Sequence, residues 1–169
     1  MSVRDAALIV RMRRIGMRIP VRTLIAARST GLNLALGCSV LMQESGGGLN
    51  EFGHDPTVAV GWGIVTEAKY RAYCRLRDHP AAGRNCQGVG PCQLTAYPFQ
   101  QRADRAGGCW KPLVNMRVGF GALAENIRRD GLREAVRAYN GSGPAAERYA
   151  DVVLARAEGY AARLGTPAP

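Results

Sequence analysis

Glu44 stands where a carboxyl group can keep its proton near neutrality. It closes the apolar run Leu34-Ala35-Leu36-Gly37-Cys38-Ser39-Val40-Leu41-Met42 and is followed at once by Ser45-Gly46-Gly47-Gly48. The run predicts a largely buried helix. A carboxylate at the C-terminal end of such a helix meets the negative pole of the helix dipole and apolar neighbours, and both favour the protonated form. A carboxylic acid held neutral in an apolar cleft can protonate the bridging oxygen of a glycosidic bond. A Glu at a helix end is also an ordinary solvated terminus, so the rest of the chain has to decide.

Several other residues could serve this chemistry. Asp55, in His54-Asp55-Pro56, follows Glu44 by 11 residues. It could position an attacking water, or it could simply shape a turn before proline. Asp104, in Ala103-Asp104-Arg105, is a weaker second acid because it reads as an exposed helix face. Gln93 carries a two-sided amide suited to sugar amides and hydroxyls, or to a surface turn. Asn140 could bind an N-acetyl group or cap its helix. Trp62, Tyr97 and Trp110 could stack on sugar faces, although packing is the commoner role of such rings. Tyr139 lies one helical turn beyond Val136 and by spacing belongs to a core. His54 and His79 could be metal ligands with the cysteines, but a lone His is usually a satisfied surface residue. The spacing of Cys74, Cys86, Cys92 and Cys109 matches no standard zinc pattern. No metal or cofactor is expected. Disulfides and reduced thiols both remain open for these four, and Cys38 reads as a core residue.

The elements that must position these groups are mostly helices. Ser2 with Asp5 resembles a capping box opening a helix to about Arg14. Pro20 opens a second over 21–29, closed by Gly31. Asn33 caps the helix that ends at Glu44. Thr66 caps one with Tyr70, Tyr73 and Cys74 on one face, and Pro98 starts a short one ended by Gly107-Gly108. Asn115 is expected to cap a helix with Met116, Phe120, Leu123, Ala124 and Ile127 inward, stopped by Gly131. Leu132, Val136 and Tyr139 make a short helix ended by Asn140-Gly141. Pro144 opens the last, with Tyr149, Val152, Val153, Tyr160 and Leu164 inward, before a frayed tail. Residues 45–65 break the pattern. Their glycines and the run Val58-Ala59-Val60-Gly61-Trp62-Gly63-Ile64-Val65 predict a long loop with room for a small β-hairpin. Long loops in compact domains are usually functional. The reading is a mainly α single domain over 1–169.

The bulk numbers agree with a globular chain. There are 169 residues, 47% hydrophobic and 21% charged, enough for one core. No apolar run approaches the ~18 residues of a membrane span. The start reads as no signal peptide, so synthesis in the cytoplasm is expected, with any action outside depending on a separate release route. The net charge of +10, almost all of it arginine, is either a solvated surface or an attraction for polyanions such as nucleic acid, anionic lipid or acidic wall polymers.

Four segments in order resemble the lysozyme-like superfamily of soluble lytic transglycosylases and goose-type lysozymes. Gln43-Glu44-Ser45-Gly46 resembles the Glu-Ser motif at the end of the family's catalytic helix. Gly88-Val89-Gly90-Pro91-Cys92-Gln93-Leu94-Thr95 is similar to its Gly-x-x-Gln-[Ile/Leu] turn. Asn115-Met116 with Gly119 resembles Asn-[Ile/Met]-x-x-Gly, and Ala138-Tyr139-Asn140-Gly141-Ser142-Gly143 looks like Ala-Tyr-Asn-x-Gly. Tyr149 also has a family counterpart. The second segment further resembles endolysins of actinobacterial phages. The likeness covers about 34–156, while 62–87 matches nothing in the family.

The resemblance implies a lysozyme-like fold and a peptidoglycan-degrading glycosidase cleaving the MurNAc-β-1,4-GlcNAc bond. Glu44 would be the general acid, with Asp55 the best candidate for a second acid. Ser45, Gly90, Gln93, Tyr139 and Asn140 would form the substrate-binding set, with the Tyr139 hydroxyl near the acid. The expected partner is peptidoglycan, possible anionic wall polymers aside, with no nucleic acid bound, no membrane insertion and a monomeric state. The enzyme would be made in a host cytoplasm and act on the wall after release. Two alternatives stand. One is a lytic transglycosylase leaving 1,6-anhydro-MurNAc ends. The other, from a different class, is a basic helical nucleic-acid-binding module, against which stand the long glycine loop and the lack of a short Arg-rich recognition helix.

Overall fold

The computed structural model describes residues 2–53, 63–79 and 86–169. Among them the protein is mainly helical, with eight helices: α1 (Val3–Arg14), α2 (Pro20–Thr30), α3 (Leu34–Ser45), α4 (Glu67–Arg77), α5 (Tyr97–Arg105), α6 (Pro112–Asp130), α7 (Leu132–Asn140) and α8 (Pro144–Leu164).

Local signals set most of the boundaries. Ser2 and Asp5 form a reciprocal capping box on α1. The Asn33 side chain accepts the Leu36 N–H at 3.1 Å and so starts α3. Gly31 and Gly46 end α2 and α3 in the left-handed conformation that glycine adopts without strain. Pro20, Pro112 and Pro144 each lie in the first turn of a helix, where a missing N–H costs nothing.

α3 is the central element. Ala35 through Leu41 are all buried, so both of its sides must find partners. It packs against α8 and α2, while α6 packs against α2, α5 and α7. Gly37 lets the Phe120 ring of α6 approach closely: a Cβ there would lie 3.0 Å from Phe120 Cζ. The one polar group inside this run is satisfied, since Ser39 Oγ donates to Val153 O of α8 at 2.7 Å. A contiguous apolar core runs from Ile9 to Leu164.

Two expectations about faces are corrected. Val152 is 46% exposed rather than inward, because Tyr149, Ala150 and Val153 already occupy the buried stripe of α8. Asn115 does not cap α6. The helix starts three residues earlier at Pro112, and Asn115 is fully buried inside its first turn.

The glycine-rich region is partly described. Gly47 passes so close to Gly16 O that any side chain would strike that carbonyl. Residues 50–53 then run between two neighbours. Val65 N–H donates to Asn50 O and Phe52 N–H to Gly63 O, while Gly53 N–H donates to Gly88 O and Gly90 N–H to Glu51 O. These are isolated antiparallel bridges, Glu51 with Ile64 and Phe52 with Val89. The small hairpin expected within 45–65 falls partly on residues 54–62, outside the described residues, as do His54, Asp55 and Trp62.

Candidate active site

The end of α3 delivers Glu44 to one wall of a cleft of about 360 Å³, shared with Gly53, Gly88, Gln93, Thr95, Tyr139 and Asn140. Glu44 is half-buried, and burial holds its carboxyl above the ordinary glutamate range. The Tyr149 hydroxyl donates to Glu44 Oε1 at 2.5 Å and opposes that rise, since it favours the charged form; burial outweighs it. With Oε1 engaged by Tyr149, Oε2 is the oxygen left to carry a proton towards a ligand. Among the described residues lining the cleft, Glu44 is the one carboxylate.

The opposite wall is the turn of residues 88–94, packed against three helices distant in sequence, α3, α6 and α7. Ser45 Oγ, next to the acid, donates to Pro91 O at 2.7 Å. The Asn115 side chain accepts Cys92 N–H at 2.9 Å and donates to Val89 O at 2.8 Å. Gly119 of α6 lets the turn approach, because a Cβ there would stand 2.7 Å from Cys92 Cβ. Tyr139 of α7 donates to Cys92 O at 2.9 Å. Its ring stacks on Tyr149 at 6.4 Å and 15°. Burial raises the Tyr139 and Tyr149 hydroxyls above the ordinary tyrosine value, so both remain protonated donors.

Gln93 sits at φ 46, an unusual backbone for a non-glycine residue. Its amide nitrogen donates to Gly90 O at 2.9 Å and Glu51 O at 3.1 Å, crossing from the turn to the 50–53 segment. The side-chain oxygen lies against Gly53 and Gly88, where a Cβ on either would collide with it. Part of the amide expected to read sugar is therefore spent on holding the cleft wall. Gly90 has φ 73, and a Cβ there would meet Asn115 Nδ2 at 2.7 Å; it serves the turn by admitting Asn115. Asn140 is exposed at the cleft rim, at the end of α7.

The remaining candidates are placed elsewhere. Asp104 is not the exposed helix face the sequence suggests. Its carboxylate accepts from Tyr70 at 3.1 Å, Arg77 at 3.3 Å and Cys109 N–H at 3.2 Å, away from Glu44. Trp110 packs on Tyr70 with ring centroids 5.8 Å apart, and Tyr97 lies under the Arg77 guanidinium at 5.2 Å. None of the five cysteines is in a disulfide. Among the described residues, no group of three or more His, Cys, Asp or Glu side chains could hold a metal ion, and no helix is long and apolar enough to cross a membrane.

Sequence reasoning names Tyr149 without a role and gives no role to Gly53, Gly88 or Thr95. The two glycines stand beside loop positions whose partners lie far along the chain, so local spacing carries no signal for them. Searches against family models, curated proteins and solved structures return no match for this chain.

Proposed function

We propose that the protein is a peptidoglycan-degrading glycosidase of lysozyme-like fold, with Glu44 as general acid on the MurNAc-β-1,4-GlcNAc bond. The observation that carries this reading is the Glu44–Tyr149 pair. A half-buried carboxyl is kept prone to protonation, with one oxygen held by a tyrosine and the other free, on the wall of an open cleft. In such a site the free oxygen donates its proton to the glycosidic oxygen as the anomeric carbon gains oxocarbenium character. The convergence of Ser45, Gln93, Asn115, Gly119 and Tyr139 on one turn supports it, because those residues carry the family resemblance.

The lining favours keeping a second route. With Glu44 the one carboxylate among the described cleft residues, the same group could act first as acid and then as base, closing an internal hydroxyl onto the anomeric carbon. That is the lytic transglycosylase outcome. Mass spectrometry of purified wall digested by the protein tests both. Ordinary reducing ends define the hydrolase, and ends lighter by one water define the transglycosylase. Intact glycan strands would remove the proposal, and steeply salt-dependent DNA binding in their place would favour the nucleic-acid-binding alternative.

A further inference from the structure

Behind the cleft wall lies a second polar network that the chemistry above does not use. Gln100 of α5 is fully buried. Its amide nitrogen donates to Gln87 O at 2.8 Å and to Leu94 O at 2.7 Å, the two carbonyls that bracket the 88–94 turn. Its oxygen accepts from Tyr73 at 3.1 Å and from Arg77 Nη1 at 3.0 Å. Both donors and both lone pairs of the amide are thus filled, and the amide has a single orientation that satisfies them.

The neighbours are fixed in turn. Arg77, 4% exposed, binds Asp78 at 2.8 Å, Asp104 at 3.3 Å and the Tyr70 hydroxyl at 3.0 Å. Tyr73 also accepts Gln87 N–H at 3.0 Å, and the Gln87 side chain donates to Gly53 O on the cleft. The cleft wall is therefore held on its near side by Ser45, Asn115 and Tyr139, and on its far side by the Gln100 amide, with Tyr73 and the Gln87 side chain beside it.

Resting on the glycosidase reading, we propose that Gln100 is a positioning residue for the cleft. It clamps both ends of the turn that faces Glu44, with Arg77 and Tyr73 fixing the direction of its amide. It touches no substrate. Its effect on turnover runs through the placement of Gln93 and Gly88 across from the acid.

Two substitutions separate the clamp from general packing. Gln100→Glu, ionised beside Arg77, keeps an oxygen for Tyr73 and Arg77 but loses both donors to Gln87 O and Leu94 O. Gln100→Met keeps the volume and loses every polar contact, and serves if the first variant does not fold. Backbone hydrogen exchange and kcat per folded molecule are measured well below the unfolding temperature. The expected result is exchange at Gly90, Gln93 and Leu94 about tenfold faster, with α3 and α8 unchanged. Alongside it, kcat falls about tenfold, while the pH at which activity is lost stays as in the unchanged protein. Exchange in the turn that stays slow, or kcat per folded molecule that stays unchanged, overturns the proposal. So does faster exchange throughout the protein, the mark of a merely structural role. If the unsubstituted protein releases no glycan fragments, the glycosidase reading fails, and the exchange measurement alone then decides the clamp.

Discussion

Glu44→Gln separates the acid from the fold. The amide keeps an oxygen for the Tyr149 hydroxyl, so the contact at 2.5 Å has a replacement and the shape of the site is retained. What is lost is the transferable proton, and general acid catalysis contributes about 10²–10⁴-fold. Clearing of purified wall, scored as new reducing or anhydro ends, should therefore fall by at least about 10²-fold.

Stability should move the other way. Burial raises the Glu44 carboxyl above its unfolded value, so the folded state binds the proton more tightly than the unfolded chain does. The stabilisation from that proton is complete below the unfolded glutamate value and is lost as pH rises through the folded one. Each tenfold difference in proton affinity between the states is about 1.4 kcal/mol. The amide side chain of the variant never ionises, so the variant should lack this decline. It should unfold at a urea concentration equal to or above that of the parent at about pH 8, with the difference shrinking towards about pH 4. Full activity in the variant would refute the assignment of the acid. A variant less stable than the parent at the alkaline end would refute the account of its surroundings.

Further outcomes follow from neighbouring contacts. Tyr149→Phe removes the donor that favours the carboxylate, so Glu44 should hold its proton to higher pH and the alkaline limb of the kcat profile should move up. A hydrogen bond to a charged group is worth about 1.5–3 kcal/mol, so kcat at the optimum should also fall, by about tenfold. Ser45→Ala strands Pro91 O against α3 and should cost about 1–3 kcal/mol in urea unfolding. Thiol labelling of the native protein should reach Cys74 and Cys86 before the others. Cys38, Cys92 and Cys109 are buried, which pushes the Cys38 and Cys109 thiols up to about 12, so those three should react only on unfolding.

The helices are largely legible in the sequence because their ends depend on nearby residues. Asn33, Gly31 and the Ser2–Asp5 pair act within one turn of themselves. Asn115 shows the limit of that logic. Its type and place suit a cap, but its side chain is drawn inward by Cys92 and Val89, groups more than 20 residues away. Asp104 escapes local reading for the same reason, since Arg77 and Tyr70 reach it from another helix. Glu44, Ser45, Gln93 and Tyr139 can be named from their types and motif likeness, and all four bear on the cleft. That Gln93 spends its amide on Glu51 O and Gly90 O depends on a register between loops that no spacing rule reports. Gln100 and Arg77 give no signal, because a polar residue on a short helix usually faces water.

The bond from Tyr149 to Glu44 joins residues 105 positions apart. Tyr149 sits on the last helix and Glu44 on the third, with the turn of residues 88–94 between them in the chain. The acid therefore acquires its hydrogen-bonded setting only when the C-terminal helix has docked on α3. A nascent or partly folded chain carries the glutamate without its tyrosine partner and without the burial that favours its protonated form. On the proposed function, competence for catalysis would wait until α8 is made and docked, so the order of synthesis itself would delay it.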